Sequence, residues 1–378
     1  MRNPTAILFT HTAALIGGGN KVLLSLIDGL DREQFRPMSI LPEHGPMEQE
    51  LCRREVPFTI MDLRPSIGRI AMAAAVVRLV KLIAKYKIAI VHANDPFTYR
   101  AASLAAAMTR TPRVCHLHHP DQDKKSISWA FARRPELIIT PTEYVKEKVS
   151  EWLGNTDSKI ARVVGNPIDV EWFAPARNVP ALREQLGMQS HGAHITIIGA
   201  LTPHKGHDCF LRAAKRILEQ RPEAMFNIVG SAASGDPAWA HRLRTLTIEL
   251  GVEKSVHFWG FVPDITARDV LAASDVFVLP TLIEGFGLVV AEALACGVPV
   301  VTSAIRPLEE IVTDGKSGFL VPPSEFECFA QKVLELLDAP EKKAAFSVYG
   351  RNHVRSCFSS ESVVRRIIGC YEEILSEQ

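Results

Sequence analysis

The chain has 378 residues, 47% of them hydrophobic and 22% charged, with a formal net charge of +1. Those fractions exclude a disordered or fibrous chain and leave room for two domains of ordinary size. The 7 cysteines form no C-x-x-C pair, which speaks against a zinc site and a disulfide framework and fits a reducing cytosol.

No apolar run reaches about 18 residues, so no transmembrane helix is predicted. The opening MRNPTAILFTHTAALIGGGN has an apolar run broken by His11 and Thr12, and reads as strand and glycine loop rather than signal peptide. Charge is uneven: residues 1–170 carry 23 Lys and Arg against 17 Asp and Glu, and 171–378 carry 20 against 25. Either this is chance, or the first half faces something anionic, such as a bilayer surface or a lipid-linked phosphate. No nucleic acid is expected as a partner.

A first strand is predicted over 5–9, then Gly17-Gly18-Gly19-Asn20 and a helix over 21–30. A glycine loop feeding a helix N-terminus either holds a phosphate or is a tight turn with no ligand. Strands follow over 36–41 and 58–61. The pattern over 69–87 is helical, with Arg69, Arg78, Lys81, Lys85 and Lys87 and no acidic residue. Such a helix lies on an anionic membrane or packs on the sheet with a solvated basic face. A strand over 89–92 ends at Asn94-Asp95-Pro96, and strand carboxyl ends are where parallel sheets bind ligands.

The next strand, 113–117, runs into His118-His119-Pro120. His116 and His118 share a face, but two ligands are not a site, and Asp121 and Asp123 fall beyond Pro120, so no metal is expected. A strand over 137–140, a helix over 142–152 capped by Thr142 and a strand over 162–164 lead to Gly165-Asn166-Pro167-Ile168-Asp169. Residues 174–193 are rich in Pro, Gly and polar residues around one short helix and are expected as a linker.

The βα rhythm then restarts. The strand over 195–198 enters Gly199-Ala200-Leu201-Thr202-Pro203-His204-Lys205-Gly206, and a helix spans 208–219. There the Lys205 ammonium would meet a pyrophosphate. Strands over 224–229 and 256–259, a helix over 237–250 and the loop Gly260-Phe261-Val262-Pro263 come next. After a helix over 265–273 stands the densest stretch, SDVFVLPTLIEGFGLVVAEALACGVPVVT: strand 276–279, turn Glu284-Gly285-Phe286-Gly287, helix 288–296, strand from 298. A helix N-terminus suits phosphate, and carboxylates accept hydrogen bonds from sugar hydroxyls. Eight residues at roughly 100° each bring Glu284 and Glu292 within about 80° on a helical wheel. A phosphate flanked by polyols fits such a site. A strand over 318–321 and helices over 325–337 and 360–375 close the chain.

EGFGLVVAEALACGVPVV resembles the donor-binding signature of the retaining glycosyltransferase family typified by sucrose synthases and bacterial mannosyltransferases, the glycosyl transferases group 1. The resemblance implies a GT-B architecture of two doubly wound, Rossmann-like parallel-sheet α/β domains facing an interdomain cleft. It divides the chain into an acceptor-binding domain (1–173), the linker (174–193), a nucleotide-sugar domain (194–356) and a last helix returning to the first domain (357–378). The free thiols, the basic first half and the lack of a membrane span add the expectation of a cytoplasmic enzyme, peripheral at the inner face of the membrane. That enzyme moves a sugar from a nucleoside-diphosphate sugar to a glycan or lipid-linked acceptor in bacterial surface polysaccharide synthesis, with no cofactor and no metal. Gly17, Gly18, Gly19, Gly199, Lys205, Val262, Glu284, Gly285, Phe286, Gly287, Leu288, Val289 and Glu292 would hold the donor. Asn20, Asn94, Asp95 and His118 would face the acceptor, and Glu284, Lys205 and His118 would carry the chemistry.

The chain departs from the family at Asn20, where Glu is usual, at Ala200, where Arg is usual, and after Thr302, where a double glycine is usual. Arg306 is the nearby cation that would substitute. These departures motivate an alternative, a catalytically silent nucleotide-sugar-binding protein on the same fold. A nucleotide-sugar epimerase is a third reading, against which the glutamate spacing speaks.

Overall fold

A computed structural model describes residues 4–119, 124–153, 160–232 and 237–377; Asp121 and Asp123 lie outside them. The chain forms two compact units, Met1–Pro167 with Ser360–Gln378, and Ile168–Ser359.

In the first unit strands and helices alternate: β1 (Thr5–Thr10), α1 (Gly18–Asp28), β2 (Phe35–Leu41), α2 (Pro46–Arg53), β3 (Phe58–Ile60), α3 (Arg69–Tyr86), β4 (Ile88–Ala93), α4 (Pro96–Thr109), β5 (Arg113–His116), α5 (Lys124–Ala130), β6 (Leu137–Thr140), α6 (Glu143–Leu153) and β7 (Ala161–Val163). The strands make one parallel sheet in the order β3-β2-β1-β4-β5-β6-β7. Ile7, Leu8 and Phe9 of β1 are all fully buried, as a strand covered on both faces requires. The order reverses between β1 and β4, whose register sets Phe9 beside His92 and Thr10 beside Ala93.

The last helix, Ser360–Ser376, belongs to this unit, and its Val363, Val364, Ile367 and Tyr371 join Ile7, Phe9, Leu23 and Ile27 in one core. Gly29 permits the approach, since a Cβ there would lie 2.8 Å from Val364 Cγ2.

Two expectations change. Helix α1 starts at Gly18, three residues before the expected 21, so Gly18 and Gly19 form its first turn and only Gly17 precedes it. Helix α4 follows Asp95 directly. Asp95 caps it, accepting from the Phe97 and Thr98 amides, with Pro96 at the first position. Helix α3 buries Ala75, Val76, Leu79, Leu82 and Ile83, and exposes Arg69, Ile70, Val77, Arg78, Lys81 and Lys85. Among the described residues no helix is long and apolar enough to cross a membrane.

The second unit contains α7 (Val179–Gln185), β8 (His194–Ile198), α8 (His207–Leu218), β9 (Met225–Val229), α9 (Pro237–Leu250), β10 (Val256–Gly260), α10 (Asp264–Ala272), β11 (Val276–Leu279), α11 (Leu288–Ala295), β12 (Val300–Ser303), α12 (Arg306–Glu309), β13 (Gly318–Val321), α13 (Phe326–Asp338) and α14 (Pro340–Phe358). Its parallel sheet runs β10-β9-β8-β11-β12-β13, with the reversal between β8 and β11. Residues 174–193 pack on this unit. Buried Arg183 of α7 donates to Ala273 O at 2.9 Å and pairs with Asp275 at 2.7 Å.

Candidate active site

In an open parallel sheet, ligands bind beyond the carboxyl ends of the strands where the strand order reverses. In the second unit that place is formed by the loops after β8 and β11, and these two loops are locked together. The Leu282 amide donates to His204 O at 2.7 Å, and Thr281 Oγ1 donates to His204 O at 3.0 Å and Ile283 O at 3.1 Å. Gly206 turns through the left-handed region (φ 74°) against the backbone of Pro280. The clamp brings Lys205 Nζ to 2.5 Å from Glu284 Oε1. The Lys205 stem runs along Gly199, whose absent Cβ would lie 3.7 Å from Lys205 Cδ.

The rest of the turn is packed. Phe286 is buried and meets Phe358 edge-on at 5.2 Å. Gly287 (φ 100°) precedes α11, and a Cβ there would come 2.4 Å from Leu308 Cδ2. Gly285 is buried, and Leu288, Val289 and Glu292 are half-buried along α11. Glu284 lies before the helix, so the helical-wheel angle to Glu292 does not describe it; the Thr281 clamp fixes its place instead. The loops after β8, β9 and β10 are also laced together. Leu201 N donates to Ser231 O and Gly230 N to Gly260 O, each at 2.9 Å, and half-buried Val262 follows. Ala200 is half-buried here, and Arg306 is exposed at the start of α12, two residues from the Leu308 that covers Gly287.

In the first unit the corresponding reversal gathers Gly19, Asn94 and His118. Asn94 Nδ2 donates to Gly19 O at 3.0 Å, which turns its Oδ1 toward His118 Nε2, also at 3.0 Å. His118 Nε2 therefore carries the proton. The ring lies against Gly19, where a Cβ would come 3.0 Å from Cδ2. Behind it the rings of His116 and His92 continue a buried stack, with centroids 4.3 Å and 5.6 Å apart, and His92 Nδ1 pairs with Tyr371 Oη at 2.6 Å. Burial pushes His118 down to about 3, aided by neighbouring His119; His92 likewise falls to about 3, and His116 lies well below its usual value. Among the described residues His92 Nε2, both His116 nitrogens and His118 Nδ1 have no hydrogen-bond partner.

The Asn20 amide nitrogen and the Asp95 carboxylate are engaged by nearby groups of the chain. Asn20 Nδ2 donates to Ala13 O and Leu15 O at 3.1 and 2.6 Å. The Asp95 carboxylate accepts from the amides of Thr12, Phe97 and Thr98 and from the Thr98 hydroxyl. Gly17 stands exposed at the start of α1. Among the described residues no three His, Cys, Asp or Glu side chains converge as a metal site. Sequence reasoning missed the Thr281 clamp and the histidine stack. Thr281 directly follows the strand-ending Pro280, but its partner has no signal in the linear chain; the spacing of His116 and His118 marks their shared face, and the approach of His92 has no such mark.

Residues 178–353 match the family model "Glycosyl transferases group 1", and residues 16–172 match "Glycosyltransferase Family 4". The chain thus carries a group 1 glycosyltransferase domain and a family 4 glycosyltransferase domain. It is 28% identical to the UDP-Gal:alpha-D-GlcNAc-diphosphoundecaprenol alpha-1,3-galactosyltransferase of Escherichia coli, over 93% of this chain and 92% of that protein. It is 30% identical to D-inositol 3-phosphate glycosyltransferase 2 of Catenulispora acidiphila, over 70% of this chain and 66% of that one. The fold is that of Anabaena HepE, crystallised in complex with UDP, at a TM-score of 0.88 and 22% identity over 98% of this chain and 100% of that one. Both units are Rossmann-like, as in GT-B glycosyltransferases.

Proposed function

We propose that this glycosyltransferase is a retaining, metal-independent enzyme. It moves a sugar from a nucleoside-diphosphate sugar to a glycan or lipid-linked acceptor in bacterial surface polysaccharide synthesis, working in the cytoplasm at the inner face of the membrane. The observation that carries the reading is the meeting of Lys205 and Glu284, 2.5 Å apart, at the strand-order reversal of the second unit. A cation for phosphate and an acceptor for sugar hydroxyls are what such a donor needs side by side.

The hard step is breaking the bond from anomeric carbon to pyrophosphate. Negative charge grows on the leaving phosphate as positive charge grows on the sugar. Lys205 and the amides at the start of α11 stabilise the first. Glu284 orients the sugar hydroxyls and Glu292 those of the ribose. The acceptor hydroxyl attacks on the face from which phosphate leaves, and the departing phosphate takes its proton. The acceptor is assigned to the first unit, at Asn94 and His118; neutral His118 adds no charge there.

The Escherichia coli relative is named for a diphosphoundecaprenol-linked acceptor, which supports a lipid-linked acceptor here. The exposed face of α3, basic with Ile70 and Val77 between the charges, supports contact with an anionic bilayer. One observation favours the second reading, a nucleotide-sugar-binding protein that transfers nothing: Ala200 occupies a position where a cation is usual, leaving Lys205 to face the phosphates from that loop. A thermal-shift panel of UDP-, GDP- and ADP-sugars with their free nucleotides tests the donor site, since a ligand of the folded form raises the melting temperature. A shift with one nucleotide series, followed by acceptor-dependent nucleotide release, supports transfer. Binding without release favours the silent reading, and no shift with any donor sinks both.

A further inference from the structure

Lys205 and Glu284 have each been given a ligand, yet they hold each other. The pair is close (2.5 Å) and largely shut away from water, the side chains being 19% and 7% exposed. The backbones on either side cannot part easily, because His204 O takes two hydrogen bonds from the Thr281 and Leu282 side and Gly206 is wedged against Pro280. A ligand that needs the ammonium must therefore compete with the carboxylate through side-chain rotation, in a place where solvent weakens neither partner.

We infer that Glu284 acts as a selectivity gate on Lys205, favouring the sugar-bearing donor over the free nucleoside diphosphate; the inference rests on the donor site proposed above. A free diphosphate that takes the ammonium leaves a buried carboxylate without its counter-ion and beside new negative charge, an arrangement that opposes binding. A donor brings sugar hydroxyls, and an O–H that donates to Glu284 replaces the lost ammonium contact. The same group that positions the sugar thus weakens the hold on the nucleotide once the sugar has gone, which hastens product release and limits product inhibition.

The test is calorimetric binding of UDP, GDP and ADP, and of UDP-glucose, UDP-galactose, GDP-mannose and ADP-glucose, to the full chain and three variants. Glu284→Gln keeps a hydrogen-bonding side chain and removes the charge. It should bind the matching free diphosphate about tenfold more tightly, bind the sugar donor no more tightly than before, and turn over more slowly. In a Lys205→Gln background the tightening should vanish, because the competed cation is gone. Circular dichroism and melting curves identify a variant that fails to fold, and Glu284→Ala, which should tighten the free diphosphate likewise, then takes its place. If the wild type binds diphosphate but Glu284→Gln tightens donor and diphosphate equally, or tightens neither, the gate is refuted and the donor site stands. If the folded wild type binds none of these ligands, the donor site fails and the gate with it.

Discussion

The Cβ that Gly206 lacks would stand 2.0 Å from the carbonyl oxygen of Pro280. Glycine is required there twice, by the φ of 74° and by the close approach of two backbones. Gly206→Ala should destabilise the second unit by more than the roughly 1–2 kcal/mol of a left-handed alanine alone, because backbone has to move. Gly187 has a similar φ of 67° with nothing within 4 Å of its missing Cβ, so Gly187→Ala supplies the strain without the clash. Urea denaturation of both variants checks the order; equal losses would show that the loops tolerate separation.

Lys205→Ala should lower turnover by about two to three orders of magnitude, the scale seen when a single group stabilising transition-state charge is removed. Far-ultraviolet circular dichroism should remain unchanged, since the ion pair joins loops already tied through His204 O. Near-normal turnover would mean that the phosphate is not held by this side chain.

Acid should destabilise the protein below about pH 6.5. Burial holds His92, His118 and His207 near 3 and His11 near 4, all below the ordinary 6.5. Between those values and 6.5 the unfolded chain binds protons that the folded chain refuses, so stability falls as pH falls, by about 1.4 kcal/mol per pH unit for each fully refused proton. Asp95, raised to about 6 by burial, works in the opposite sense between 6 and 3.8, but as a single group. Urea midpoints at pH 7.5 and 5.5 measure the slope. His116→Phe, which keeps a ring in the stack and removes one suppressed site, should flatten it; an unchanged slope would place the sensitivity elsewhere.

Binding to vesicles containing phosphatidylglycerol should weaken with salt and disappear in pure phosphatidylcholine if α3 meets the bilayer by charge. Arg78, Lys81 and Lys85 are exposed, so Lys81→Glu with Lys85→Glu should reduce binding strongly while leaving the melting temperature within a few degrees. Binding indifferent to salt and to these changes would remove α3 from the account.

Much of the βα order was legible because several buried strands are short apolar runs ended by Gly, Pro or Asn, as at Val276–Leu279 before Pro280. Helix α4 was missed because Asn94-Asp95-Pro96 reads as a loop, although Asp95 and Pro96 are also a helix cap and first residue. Lys205 and Glu284 could be singled out from their loops. Their contact could not, since it depends on strands β8 and β11 being neighbours, a fact of topology with no local mark in the sequence. Asn20 was visible in the glycine loop and Asp95 just past a strand end, but the backbone groups that occupy them come from loop geometry. The histidine stack was hidden for the same reason: His92 and His116 are far apart in sequence and adjacent only because β4 pairs with β5.

The helix Ser360–Ser376 fills a core whose other walls come from the start of the chain. During synthesis, Ile7, Phe9, Leu23 and Ile27 emerge early and wait for Val363, Ile367 and Tyr371 until the whole second unit has been made. The unit begun first is thus the last to close, and until then its sheet presents an oily groove to the cell. Tyr371 is the partner of His92, so the ring stack behind His118 acquires its final anchor only after the second unit has been made.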